Sequence, residues 1–120
     1  MTSSDKPGPD GRISPRHVFE KRIQIRLQRD GQSLNLEGWA RNLSEGGVNA
    51  FVAHSLALEE LVTLEIELAE SGKQTIPAQV VRALGTQYGF RFTALSVEQR
   101  AQIQAALKEF PAIPHHPRRR

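Results

Sequence analysis

Residues 62–68 read Val-Thr-Leu-Glu-Ile-Glu-Leu, with an aliphatic side chain at every second position and a polar one between each pair. A strand sends successive side chains to opposite faces, so this spacing predicts a β-strand buried on one face and wet on the other. The signature recurs along the chain. Ile23, Ile25 and Leu27 alternate with Gln24, Arg26 and Gln28, and Leu34 and Leu36 share a face. Val48, Ala50 and Val52 make a shorter run with Phe51 turned the other way; Ile76, Ala78 and Val80 follow, and Tyr88, Phe90 and Phe92 face inward opposite Gly89, Arg91 and Thr93.

Turn chemistry separates these runs. Asp30-Gly31 is a hairpin dipeptide, Glu70-Ser71-Gly72-Lys73 turns the clearest strand back, and Gly85 turns the chain again. At Gly38-Trp39-Ala40 the alternation slips, and a bulge is expected there. Pro77 lacks an N–H, which predicts an edge strand or a strand beginning at that point. Residues 54–60 form a connection with room for one helical turn. The period then changes. Ser96 and Gln99 have capping-box spacing, and Val97, Ile103, Ala106, Leu107 and Phe110 follow helical spacing until Pro111. The expectation is an all-β fold with one C-terminal helix, built as a six-stranded antiparallel β-barrel, because closure removes exposed sheet edges. Trp39, Tyr88, Phe90 and Phe92 are expected as barrel packing.

The 120 residues suffice for one modest core, expected over residues 12–110. Residues 1–11, rich in proline and glycine, read as a flexible N-terminal arm, and 111–120 as a disordered basic tail. No apolar run approaches the ~20 residues of a membrane span, which argues against membrane insertion. The absence of cysteine and of an apolar leader points to a cytoplasmic protein. The formal charge of +3 owes as much as its whole value to Arg118, Arg119 and Arg120, so the body is close to neutral. A duplex-binding protein shows a broad basic face instead, whereas a phosphate-bearing small molecule needs only a few well-placed arginines.

Between the second and third strands lies Asn42-Leu43-Ser44-Glu45-Gly46-Gly47. Asn offers an acceptor and a donor, Ser a hydroxyl that does either, and glycine lets a ligand approach the backbone. These residue types also make ordinary turns. Upstream, Arg12 and Arg16 stand four apart ahead of the first strand. In this composition about one R-x-x-x-R is expected by chance, and Arg22 with Arg26 is a second instance; the pattern Asn-x-Ser-x-x-Gly is expected only about 0.03 times. Arg12 and Arg16 are preferred because they precede the strand, while Arg22 and Arg26 lie on its solvent face.

With R-x-x-x-R at Arg12 and Arg16, the Asn42, Ser44, Gly47 motif, and Tyr88-Gly89-Phe90-Arg91-Phe92 before a capped helix, the chain resembles the PilZ domain family over about residues 12–110. That family comprises bacterial six-stranded barrels acting as receptors for cyclic di-GMP. The resemblance implies that Arg12 and Arg16 wrap the dinucleotide, that Asn42 and Ser44 read a guanine edge, and that Gly47 leaves room for it. Arg82 is a weaker candidate for stacking on a base, and Arg41 a peripheral one. Many members carry Asp at the position of Asn42, and a neutral amide accepts more weakly than a carboxylate.

Catalysis finds no support in the chain. Ser44 lacks the glycine of a G-x-S-x-G elbow, and His17, His54, His115 and His116 have no metal spacing; Glu59, Glu60, Glu65 and Glu67 read as an exposed face. No cofactor or metal is expected, only the ligand cyclic di-GMP. Its output would pass through a downstream protein partner, a homodimer, or both. The alternatives are a ligand-independent PilZ-like adaptor and a small barrel that binds single-stranded nucleic acid.

Overall fold

Asp30 and Gly31 both take positive φ, 54° and 77°, as in the two-residue turns whose twist matches that of the strands they join. They fold β1 (His17–Arg29) onto β2 (Gln32–Leu43), with Arg29 opposite Gln32. The computed structural model describes residues 15–68 and 72–113. Within them follow β3 (Gly47–Val52), β4 (Leu61–Leu68), β5 (Gly72–Leu84), β6 (Gln87–Phe92) and helix α1 (Val97–Leu107). The strands are ordered β1-β2-β3-β6-β5-β4 and close into a barrel, each pair antiparallel. The fold is therefore the expected six-stranded antiparallel barrel with one C-terminal helix. Its seam is short: β1 meets β4 only at Gln24–Glu65, Ile25–Leu64 and Arg26–Thr63.

The inward rows hold Phe19, Ile23, Ile25, Leu64, Ile66, Ile76, Val80 and Phe90, all buried. Where the wall draws tight, small residues face in. Ala40 opposes Ala50, and a Cβ on Gly38 would lie 3.2 Å from Ile25 Cδ1. Alternation thus continues through 38–40, and the bulge expected there falls later, between Ala40 and Asn42. In consequence Trp39 is not barrel packing: it stands on the outer face, 42% exposed, opposite Phe51, which is 39% exposed. Pro77 sits inside β5, opposite Thr63, rather than on an edge or at a strand start. It is tolerated because the β5–β6 ladder begins only at Ala78, while the Pro77 carbonyl accepts from Thr93 N–H at 2.9 Å.

The 54–60 connection has no helical turn. Leu56 is buried, and its N–H donates to Tyr88 Oη at 3.1 Å. Glu60 is part of no exposed acidic face. It takes Arg29 Nη2 on both carboxylate oxygens, at 2.9 and 3.0 Å, and accepts Ala57 N–H at 3.0 Å. Burial pushes the Glu60 carboxyl up, but the Arg29 hydrogen bonds, the Ala57 N–H and the Arg29 charge outweigh it and hold the group below its ordinary value. Glu65 likewise pairs with Arg26.

Helix α1 starts on the expected capping box, Ser96 Oγ accepting Gln99 N–H at 3.0 Å. Ile103, Ala106 and Leu107 are buried, but Val97 is exposed. Six residues before Ile103, it lies about 240° round the helix from the core-facing stripe. Phe110 packs edge-on against Phe19, centroids 5.2 Å apart. Pro111 O then accepts Val18 N–H at 2.9 Å and Ile113 N–H donates to Arg16 O at 2.8 Å, with Ala112 opposite His17. Backbone pairing thus reaches three residues past the point where a disordered tail was expected. The remainder of that tail, and the 1–11 arm, lie outside the described residues.

Candidate functional site

Two bulges build the site. β2 carries one extra residue between Ala40 and Asn42 relative to β3, and β5 one between Val80 and Arg82 relative to β6. An added residue reverses which face the chain presents. Asn42 and Arg82 are thereby turned to the outer wall, in one row with Asn49 and Gly89: Asn42 opposes Asn49, Asn49 opposes Gly89, and Gly89 opposes Arg82.

Hydrogen bonds run along that row. Arg16 Nη1 donates to Asn42 Oδ1 at 3.0 Å, Asn49 Nδ2 donates to the same oxygen at 2.8 Å, and Arg82 Nη2 donates to Asn49 Oδ1 at 3.0 Å. Arg82 reaches across β6 because Gly89 has no side chain; a Cβ there would lie 3.0 Å from Asn49 Oδ1 and 3.2 Å from Arg82 Cβ. One residue row over, Gly47 opposes Arg91, whose Nη2 donates to Gln79 Oε1 at 2.7 Å. The loop at the end of the row is tied by Ser44. Its N–H donates to Gly47 O at 2.9 Å, and its hydroxyl accepts Gly46 N–H at 3.2 Å. Glu45 in this loop accepts from Gln104 of α1 at 3.0 Å.

Arg16, Ser44, Gly47, Asn49, Arg82 and Arg91 line a cleft of about 450 Å³, within the roughly 300–1,000 Å³ of small-molecule sites. Its electrostatics differ from the rest of the wall. Arg22, Arg26, Arg29 and Arg41 each face a glutamate: Glu37, Glu65, Glu60 and Glu20. Arg82 and Arg91 instead donate to amide oxygens, which orient a guanidinium without neutralising it. Arg82 and Arg91 thus bring positive charge to the cleft, a feature that suits an anion.

Of the residues singled out from the sequence, the structure brings Arg16, Ser44, Gly47 and Arg82 to the cleft and sets Asn42 beside it, bonded to Arg16. Arg12 lies outside the described residues. Arg41 does not line the cleft; the bulge leaves it beside Asn42 with its Nε 3.7 Å from Glu20. Gly47 has a reason of its own to be glycine, since a Cβ would stand 2.0 Å from Phe90 O on the neighbouring strand. Sequence reasoning missed Asn49, Gly89 and Arg91. The signal for Asn49 was available: with Val48, Ala50 and Val52 inward, it must face out beside the motif, yet it is the only buried polar residue among the described residues. Among those residues, no group of His, Asp and Glu could hold a metal ion, and no helix is long and apolar enough to cross a membrane.

A closed antiparallel barrel with a capped C-terminal helix and an arginine-lined cleft on its outer wall defines the class. The family model for the PilZ domain matches residues 10–109, and the chain belongs to that family. Among solved structures, it is similar to the PilZ domain of YcgR with c-di-GMP from Escherichia coli, at 17% identity and TM-score 0.65, covering 82% of this chain and 90% of that one. The PilZ domain of CeSA from a cellulose-synthesizing bacterium aligns at 19% identity and TM-score 0.60, over 78% and 95% of the two chains. The MrkH–c-di-GMP complex from K. pneumonia aligns at 18% and 0.64, over 82% of this chain but 50% of that one. These likenesses establish the shared fold. Comparison with curated protein sequences gives no match.

Proposed function

We propose that this chain is a receptor for cyclic di-GMP. The observation that carries the reading is the meeting of Arg16 with Asn42 at 3.0 Å, beside a cleft that Arg16, Ser44 and Arg82 line. Solved PilZ structures with c-di-GMP support the choice of ligand. A guanidinium forks onto a phosphodiester or onto guanine O6 and N7, and the cleft collects three of them. Arg12 joins from the preceding arm. In the free protein Arg16 occupies an acceptor on Asn42; ligand draws Arg16 to itself, orders the arm over the cleft and changes the surface shown to a partner or a second copy. No chemical step is assigned to the site, and the ligand is a signal rather than a substrate.

The adaptor reading draws on the row beside the cleft, where Trp39 and Phe51 expose aromatic surface and Leu84 aliphatic surface. That row also gives the receptor a place to contact its partner, so the two readings share a surface and differ in whether ligand controls it. The nucleic-acid reading is weakened by the four arginine–glutamate pairs, which leave the outer wall without a continuous basic face.

Isothermal titration calorimetry with cyclic di-GMP tests the proposal, using the native chain, Arg16→Ala, and GMP as a control. Micromolar or tighter binding, lost in the variant and not reproduced by GMP, is the expected result. Absence of heat and of competition at high protein concentration sinks it and leaves the adaptor.

A further inference from the structure

We infer that Asn49, two strands away from Arg82's backbone, sets the base specificity of the cleft by fixing which way the Asn42 amide points. The inference rests on the receptor reading and adds to it a positioning role for Asn49, which lines the cleft and orients Asn42 beside it. A guanidinium has donors and no acceptor. Arg82 therefore obliges Asn49 to turn its Oδ1 toward β5. The same amide must then turn its Nδ2 toward β2, where it meets Asn42. Asn42 in turn must answer a donor with its carbonyl, and Arg16, also a pure donor, demands the same orientation from the other side. The polarity of Asn42 is thus dictated from β5, passed over Gly89 and through Asn49, with no hydroxyl in the chain that could reverse it.

The consequence for a ligand follows from the remaining geometry. Of the two donors on Asn42 Oδ1, Asn49 is buried, whereas the Arg16 contact is exposed and belongs to the chain entering β1. The exchangeable position on Asn42 is therefore an acceptor. Guanine presents two adjacent donors, N1–H and N2–H, on its Watson–Crick edge, whereas adenine presents one, N6–H, beside an acceptor at N1. An amide held carbonyl-first favours the edge with two donors over the edge that pairs one donor with an acceptor; an amide free to rotate by half a turn distinguishes them poorly. Asn can do this work only while something holds it, since unlike Asp it has a donor to offer in the other orientation.

The test compares cyclic di-GMP with cyclic di-AMP, measuring Kd for both on the native chain, Asn49→Leu and Asn49→Asp. Leu keeps the approximate volume and removes both hydrogen bonds; Asp keeps the acceptor for Arg82 and removes the donor for Asn42. The native chain is expected to prefer the guanine dinucleotide, with that preference falling on the order of tenfold or more in both variants, the size of one or two lost hydrogen bonds. A residue that merely supported the fold would weaken both ligands together and leave their ratio unchanged. Should Asn49→Leu unfold, Asn49→Asp decides the question. A native chain that selects cyclic di-GMP while a folded Asn49 variant keeps the same ratio overturns this inference alone. A native chain that binds neither dinucleotide overturns the receptor reading and this inference with it.

Discussion

At Gly47 an added methyl group would meet Phe90 O at 2.0 Å, and the obstruction is backbone that cannot swing aside. At Gly46, one residue earlier, nothing lies within 4 Å of the same position. Two adjacent glycines of one motif are thus under different constraints. Gly47→Ala is expected to destabilise the barrel by on the order of 3 kcal/mol, the upper range for overpacking, while Gly46→Ala stays within about 0.5 kcal/mol. Urea unfolding of the two variants checks this. Equal midpoints would show that β3 and β6 can part cheaply at this row. A binding assay on Gly47→Ala therefore needs a folding control before lost affinity is assigned to a ligand contact. Asn42, Ser44 and Gly47 could be read from sequence because they are contiguous and chemically distinctive. Asn49, Gly89 and Arg91 could not be assembled in that way, because their meaning depends on which strand lies beside which.

The connection from β3 to β4 shows how an element without regular structure is held. Leu56 anchors its middle, and the Arg29–Glu60 pair ties its end to β1. Glu60 titrates below its ordinary value in the folded chain, so the unfolded chain binds the proton first as pH falls. The pair's stabilisation is therefore present above the ordinary carboxylate value of 4.5 and is lost as pH drops through the lower folded value. Glu60→Gln is expected to lower the urea midpoint at pH 7 and to converge on the native chain as pH falls below 4.5 and through the lowered folded value. A constant difference across that range would assign the effect to packing. Strands were legible because alternation depends only on which side chains bury. The bulges were not, since an inserted residue is defined by the partner strand: the sequence points to Gly38–Ala40, and the barrel places the bulge at Arg41. Val97 was misplaced for a similar reason, helical spacing being counted before the contact face was known.

Taken whole, the barrel is a sheet rolled on itself and fastened unevenly. β1 is paired with β2 along nearly its entire length, yet meets β4 through three residue pairs. Local opening follows the weakest pairing, so amide hydrogens that bond across the β1–β4 seam are expected to exchange faster than those that bond between β1 and β2. Native-state hydrogen exchange followed by NMR measures both sets at once. Equal protection would mean that closure is cooperative with the entire fold.

Ile113 N–H bonds to Arg16 O, so the chain enters and leaves the barrel side by side, at the rim of the cleft. This is the geometry of a cassette. A domain whose two ends emerge together can be spliced into a longer polypeptide without straining either junction. Here the junctions also lie beside Arg16, so any flanking sequence starts next to the cleft. On the receptor reading, a fluorophore fused at either end is expected to change its signal on addition of cyclic di-GMP, and the same proximity gives recombination a place to join a further domain next to the cleft.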